Sequence, residues 1–469
     1  MPRAWFEGSC ISPYVRTMAT VLAFTLAMGP LQAQTNWVSA PPADPGVVGR
    51  REYSLQQLIQ IALANNPKYA QAREEALQAH LATTLIKSQY APQLNLKALG
   101  GNEHTPLAIT RNVSRRGYIV SSSREVIPSL QLKWLLFDFG RRKGQVDEAT
   151  QNAMAADSGL VGEQQKLVFD VSKAYFQATS ALGKIEAAQK ALHAAQLVEE
   201  AITDQRNHGR ATVVEVAQAR RQTAAMKVAL TKSRGDASSA FATLVAAVGL
   251  PPQSEFDLAQ PKDIDPQNAP LRPLGSLIQV AMQSRPDIQA AQNKVAAAEA
   301  KADVARAAYR PTISLQAQIF QNIGKTSSDG SPYSTINLTG NSLFVAFELP
   351  LFDGGARATN VSIATSETAQ AQDALEDVKH QAAQQVVESY NDLKTSLDNR
   401  KQAMDYTHAA QLAYEASLDS YRHGLAGVTD LTNDEAALAQ AQANQDDADA
   451  DVFIAEAAIA LAIGQQTTY

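Results

Sequence analysis

Cysteine is nearly missing from this chain: its 469 residues hold one, Cys10. That excludes a disulfide framework or a thiolate metal cluster within one chain. The seven histidines are scattered, and no HExxH, GxSxG or P-loop pattern occurs, so common hydrolytic and nucleotide chemistries have no visible seat. An excess of positive charge is also lacking. The net charge of −6 and the pI near 5.7 argue against a nucleic-acid surface. Past the first 33 residues no apolar run reaches the roughly 18 residues that mark a membrane helix. Any membrane crossing must then be made by strands. Proline is missing from two long stretches: 122 residues between Pro128 and Pro251, and 119 after Pro350.

Ala, Gln, Leu, Glu and Lys, all good helix formers, fill those stretches. Apolar residues step by three and four at Val168, Val171, Tyr175, Ala178, Leu182 and Ile185, a coiled-coil rhythm. Asn207-His208-Gly209 interrupts it, with a glycine able to take the left-handed conformation that ends a helix. The spacing predicts a helix from about 139 to 207 and a return helix from about 212 to 248. At 1.5 Å per residue the first is about 100 Å long, a rod that no ordinary globular core needs.

The pattern occurs twice. Val171, Tyr175, His208, Gly209 and Gly249 recur at an offset of 215 as Val386, Tyr390, His423, Gly424 and Gly464. Leu58, Pro67, Tyr90 and Pro92 recur at an offset of 219 as Leu277, Pro286, Tyr309 and Pro311. The chain is a tandem duplication. It divides into a signal peptide (1–33), an extended leader (34–53), a first repeat (54–249), a Pro-rich linker (250–272), a second repeat (273–464) and a short tail (465–469). The signal rests on Arg3 and Arg16 ahead of the apolar run Ala19 to Met28, with cleavage after Ala33. Asn66, and Arg285 in the second copy, stand where a helix cap is expected before Pro67 and Pro286.

Four segments switch to period two. Leu94, Leu96 and Ala98 alternate with Asn95, Lys97 and Leu99; Leu130, Leu132, Trp134 and Leu136 alternate with Gln131, Lys133, Leu135 and Phe137. Ile313 to Ile319 and Leu343 to Leu349 repeat this in the second copy. Each reads as a strand of about 9–11 residues, the length of a tilted transmembrane strand. They bracket polar loops near 100–127 and 321–341. Four strands cannot close a membrane barrel, for which about eight are needed, and an open edge in lipid leaves backbone groups unpaired. The strands must be pooled between copies: two chains supply eight, three supply twelve.

The order helix, strand, strand, long helix, return helix, twice over, resembles the TolC family of outer-membrane efflux and secretion channels. So do Leu136-Phe137-Asp138-Phe139-Gly140-Arg141 and Leu351-Phe352-Asp353-Gly354-Gly355 at the strand-to-helix passages. The resemblance covers nearly all of the chain after the signal. It implies a mainly α fold with β: a homotrimer whose twelve-stranded barrel in the outer membrane continues into a long periplasmic α-helical tunnel. It further implies no cofactor, a periplasmic adaptor and an inner-membrane transporter as partners, and no nucleic acid. By the same resemblance Glu215, Asp430, Asn433, Asp434 and Tyr421 line the periplasmic entrance. The tips Asn207, His208, Gly209, Arg210, His423, Gly424 and Leu425 meet the adaptor. The family's second acidic position is Asn433 here, and its arginine latch is Ala426. From the residues alone, Glu215 and Asp430 also suit helix N-termini, and the two histidines suit polar turns. A poreless, elongated periplasmic coiled coil is the alternative; it shares the hairpins but not the four strands.

Overall fold

A computed structural model describes residues 51–112, 115–259 and 272–465. The expected signal peptide with Cys10, nearly all of the leader, residues 260–271 of the linker and 466–469 of the tail lie outside the described residues.

Each repeat begins with two short helices. Ser54 opens α1 (Leu55–Asn65) with a capping box: its hydroxyl accepts from the Gln57 N–H, and the Gln57 side chain accepts from the Ser54 N–H. Asn66 caps α2 (Pro67–Lys87), its side chain accepting from the backbone N–H groups of Lys68 and Tyr69. The second copy has α5 (Leu274–Ser284) and α6 (Pro286–Ala307). Arg285, expected to cap α6, does not, because a guanidinium has no acceptor. It donates instead to the Ala462 carbonyl at 3.0 Å and to Asp287 at 2.6 Å.

The rods are α3 (Arg141–Asn207) with its return helix α4 (Val213–Val248), and α7 (Ala356–Arg422) with α8 (Val428–Ala462). Gly249 ends α4 in the left-handed region, with φ of 79°. A Cβ there would lie 3.0 Å from Asn66 Cα, so the glycine also lets the return helix abut the start of α2. Gly464 does the same against Arg285.

A single 67-residue helix cannot stand alone in water; its apolar stripe needs cover. α3 finds it in α2 and α4 of its own repeat and in α6 and α8 of the other. The main core joins Leu167, Val171, Tyr175 and Phe176 of α3 to Leu58 and Ala62 of α1 and Leu244 and Val248 of α4. Phe176 stacks on Phe453 of α8, ring centres 4.8 Å apart. Residues 250–259 of the expected linker take part as well. Leu250 and Phe256 are buried in this core, and β4 (Asp257–Leu258) pairs in parallel with β1 (Glu52–Tyr53). α7 is also 67 residues long, yet it buries 6 residues where α3 buries 19. It packs along its length on α5, α6 and α8 and meets α3 only near its end, through Tyr421, so much of one face is uncovered.

The strands β2 (Gln93–Ala108), β3 (Tyr118–Phe137), β5 (Thr312–Ser328) and β6 (Ser334–Glu348) form one antiparallel sheet in the order β2-β3-β5-β6. They have 16, 20, 17 and 15 residues, longer than expected. The polar stretches predicted as loops are mostly strand, and the connections shrink to 109–117 and 329–333. Cross-strand bonds satisfy the backbone whatever the side chains, so polar residues carry the ladder past the apolar band. Pro128, which precedes the first proline-free stretch, sits inside β3. The β3–β5 register lapses at Ile127 and Pro128 and resumes at Ser129, as an imide without an N–H requires.

The register sorts the sheet into two faces. Leu94, Leu132, Ala317 and Leu343 form one row across it; Asn95, Gln131, Gln318 and Ser342 form another on the opposite face. The apolar face is bare, with Leu96 78% exposed, as a lipid-facing surface is. Among the described residues no helix is long and apolar enough to cross a membrane.

The aspartate of each strand-to-helix motif explains why the motif recurs. Arg142 Nε donates to Asp138 Oδ2 at 2.8 Å, and its Nη1 and Nη2 donate to the Leu135 and Leu136 carbonyls. The guanidinium lies over the Tyr90 ring, 4.5 Å from its centre. Arg357, Asp353 and Tyr309 repeat the clamp. Arg142→Met leaves Asp138 buried without its cation, with only the backbone N–H groups of residues 140 and 142 as partners, at an expected loss of about 3 kcal/mol. Denaturant unfolding in detergent reads this, and adding Asp138→Asn should restore part of it.

Candidate functional site: the hairpin ends

The two hairpins end in the same construction. His208 closes α3, its Nδ1 donating to the Asp204 carbonyl at 2.8 Å; His423 closes α7 by donating to the Asp419 carbonyl at 2.9 Å. Gly209 and Gly424 follow, both at φ of 72°, which supplies the left-handed residue of each turn. The expectation that each tip turns on a glycine is met. Asn207, Arg210 and Leu425 project around these turns, Leu425 being 83% exposed.

Both acidic residues act first on their own helices. Thr212 caps α4, and Glu215 Oε2 accepts from the Thr212 N–H at 2.6 Å and from its hydroxyl at 2.9 Å. These bonds to Thr212 hold the Glu215 carboxyl below the ordinary 4.5. Asp430 accepts from the Gly427 N–H at 3.4 Å, a weaker version without a hydroxyl. Held low, Glu215 keeps its charge while it caps, so capping does not by itself exclude it from a charged rim. Asn433 is exposed one turn on, and Asp434 accepts from the Ser417 hydroxyl of α7.

Tyr421 joins the hairpins. Its hydroxyl donates to Gln205 Oε1 of α3 at 3.2 Å, and burial, then the Glu215 charge, pushes its phenol up. Nearby, the Thr429 hydroxyl donates to Gln218 of α4 at 3.3 Å. Beneath these bonds lies a small apolar plug of Val198, Ile202, Val216, Ala219, Val428 and Leu431. The site residues thus come together in pairs: Tyr421 with Glu215, and each histidine with its own turn. With Ala426 in place of an arginine, two neutral hydrogen bonds and this plug hold the hairpin ends to each other within the chain. Gln205, Gln218 and Glu435 escaped the sequence reading. Glu435 could have been found by comparing the copies, since the matching residue at offset 215 is Arg220. Among the described residues no cluster of His, Cys, Asp and Glu could hold a metal ion.

A duplicated chain of rod-like helical hairpins joined to an amphipathic open sheet has the architecture of an outer-membrane channel protein. Comparison with known proteins makes this specific. The model of the outer membrane efflux protein family matches residues 58–250 and 277–465, and the chain belongs to that family. Its place is accordingly the outer membrane, and its family is one of transport ducts rather than enzymes. Protein CyaE of Bordetella pertussis is 26% identical over 423 residues, covering 88% of this chain and 83% of that protein. The cation efflux system protein CusC of Escherichia coli strain K12 is 26% identical, covering 82% of this chain and 80% of its own length. Among solved structures, CusC superposes with a TM-score of 0.73 at 22% identity, over 88% of this chain and 92% of that one. VceC of Vibrio cholerae gives 0.69 at 20%, over 88% and 96%.

Because the Glu215 carboxyl is held low, the stability it lends the start of α4 is present above the ordinary 4.5 and is lost as pH falls below it. Amide exchange at Glu215, corrected for the intrinsic rate, should accelerate in that acid range. Glu215→Ala should accelerate it at pH 7 by roughly fivefold, about 1 kcal/mol of capping. Equal rates in both proteins across pH 3–7 would contradict the capping assignment.

Proposed function

We propose that three copies of this chain form an exit duct of an efflux or secretion system, in which a twelve-stranded barrel crosses the outer membrane and the hairpins form a periplasmic tunnel. The observation that carries this is the sheet: strands of 15–20 residues, one apolar face, one polar face, and two unpaired edges, β2 and β6. Lipid does not tolerate such edges. The number three follows the resemblance to the TolC family. The poreless coiled-coil alternative leaves the apolar face and the edges without a purpose.

The duplication supplies the register of the closing contact. Within the chain, β3 meets β5 with Lys133 opposite Gln316. Carrying Lys133 forward by 215 and Gln316 back by 219 sets Glu348 of one copy opposite Lys97 of the next. Opposite charges fall together, as a cross-strand pair favours. In the same way α2 and α4 of the next copy would cover the bare face of α7, as α6 and α8 cover α3. The repeats 54–249 and 273–464 then act as quasi-equivalent units around the ring, with the signal peptide removed on export.

At the periplasmic end, Glu215, Asp430 and Asp434, with Asn433 beside them, would ring the entrance and favour cations. Tyr421 would restrain it through Gln205. The tips around Asn207–Arg210 and His423–Leu425 would seat a periplasmic adaptor, which links the duct to an inner-membrane transporter. CusC is named for cation efflux, and one TtgC of Pseudomonas putida for toluene efflux; both fit a duct whose pump selects the cargo.

Two experiments test this reading. In a Cys10→Ser background, Lys97→Cys with Glu348→Cys should oxidise to dimers and trimers on a denaturing gel, whereas Lys97→Cys with Phe347→Cys should not. Crosslinking of the second pair alone would refute the register. In planar bilayers the purified protein should show cation-selective steps that lose selectivity when Glu215 and Asp430 are both replaced by Ala. Selectivity indifferent to the change would return these carboxylates to capping alone.

A further inference from the structure

The two hairpins share one plan, so each position in one has a control in the other. Two facing positions break the likeness. In the first hairpin they hold Glu199 on α3 and Arg220 on α4, with Arg220 Nε 3.5 Å from Glu199 Oε1 and the arginine side chain 63% exposed. Moving both forward by 215 gives Tyr414 on α7 and Glu435 on α8. A hydrated salt bridge in one copy has become a phenol and a carboxyl in the other.

Glu435 is 3% exposed, and neither of its carboxyl oxygens has a hydrogen-bond partner. It stands one turn beyond Leu431, which packs in the plug that joins the hairpins. A buried carboxylate without partners is strongly disfavoured and takes a proton instead. From α7 the titratable neighbour is Tyr414. Burial and then Glu435 push that phenol up, while Arg422 draws it down. The Ser417 hydroxyl of α7 is spent on Asp434. From α3 and α4 the plug offers Val198, Ile202, Val216 and Ala219. Gln222 of α4 has a buried, unpartnered Nε2. Glu199 and Arg220 answer each other, and no charged group of α3 or α4 contributes at Glu435, whose carboxyl is raised to about 7 by burial alone.

We propose that Glu435 is a proton-operated release in the second hairpin: neutral, it lets α8 pack against its neighbours, and ionised, it loosens that end. The proposal rests on reading the hairpin ends as the entrance of a duct, and it adds a movement and its regulator to that end. The direction follows from linkage. A hydrated Glu435 ionises near the ordinary 4.5 and the packed one near about 7. The packed state therefore has its full stability below 4.5, loses it progressively up to about 7, and changes no further above that. One group can shift the equilibrium at most about tenfold per pH unit, roughly 300-fold across the window.

The test uses the full chain in detergent with Cys10→Ser and spin labels at Arg210→Cys and Leu425→Cys, labelled chains being diluted among unlabelled ones. Pulsed EPR should show the longer tip-to-tip distances gaining population from pH 5 to 7 and then levelling by pH 8. Glu435→Gln should hold the pH 5 distribution throughout. Tyr414→Glu with Glu435→Arg installs the first hairpin's pair and should also abolish the response, which keeps the test alive if either variant folds poorly. A wild-type distribution that ignores pH, or a Glu435→Gln protein that keeps the wild-type response, overturns the proposal. The distances are read without conduction: a shift in a protein that passes no current would sink the duct and leave the release standing. Current with no shift would do the reverse.

Discussion

The structure depends on covering one long apolar stripe. α3 is about 100 Å long at 1.5 Å per residue, and its small and branched residues, from Ala153 to Ile202, are buried along that length. No single partner of ordinary size could do this. Two shorter helices from the same repeat, α2 and α4, share the task with α6 and α8 from the other. The start of α2 must then meet the end of α4, and that junction is where Gly249 lies against Asn66. Duplication is thus a packing solution as well as a history: the second repeat supplies half of the first one's cover.

The same logic leaves the second repeat in debt. α7 matches α3 in length but has no equivalent of α6 or α8 to lie against, and β6 has no following strand. Both deficits are on the same side of the duplication, so one neighbour of identical sequence can answer both. Function enters through the parts this frame leaves free. The sheet presents one apolar and one polar face. The hairpin ends carry charge held by local caps, and few bonds join one hairpin to the other. At the ends these are neutral, Tyr421 to Gln205 and Thr429 to Gln218, while the Lys184–Asp447 ion pair joins the hairpins farther from the tips. Neutral hydrogen bonds contribute about 1 kcal/mol each, so the hold between the ends is weak beside the packing along α3.

Much of this was legible in the chain itself. Missing proline and stepped apolar residues marked the rods, and the α3 and α4 limits fell within two residues of expectation. The turns at Gly209 and Gly424 were visible because a left-handed residue is a local demand. Strand lengths were underestimated because the apolar band was taken for the whole strand. Arg285 was misjudged because position alone, without an acceptor, does not make a cap. Leu250 and Phe256 passed for linker because proline-rich flanks conceal two well-placed apolar residues.

The sequence by itself determined the elements, their order, their doubling and the membrane-length alternation, since helix rhythm, strand rhythm and turn chemistry are written within a few residues of each other. Only the tertiary structure decided that α3 is enclosed while α7 is not, and that Asp138 and Asp353 hold arginines under aromatic rings. It alone showed that Glu435 is buried without a partner where its counterpart Arg220 is exposed. Those outcomes depend on which faces meet across more than a hundred residues of chain, and burial is a property of that meeting, not of any residue type.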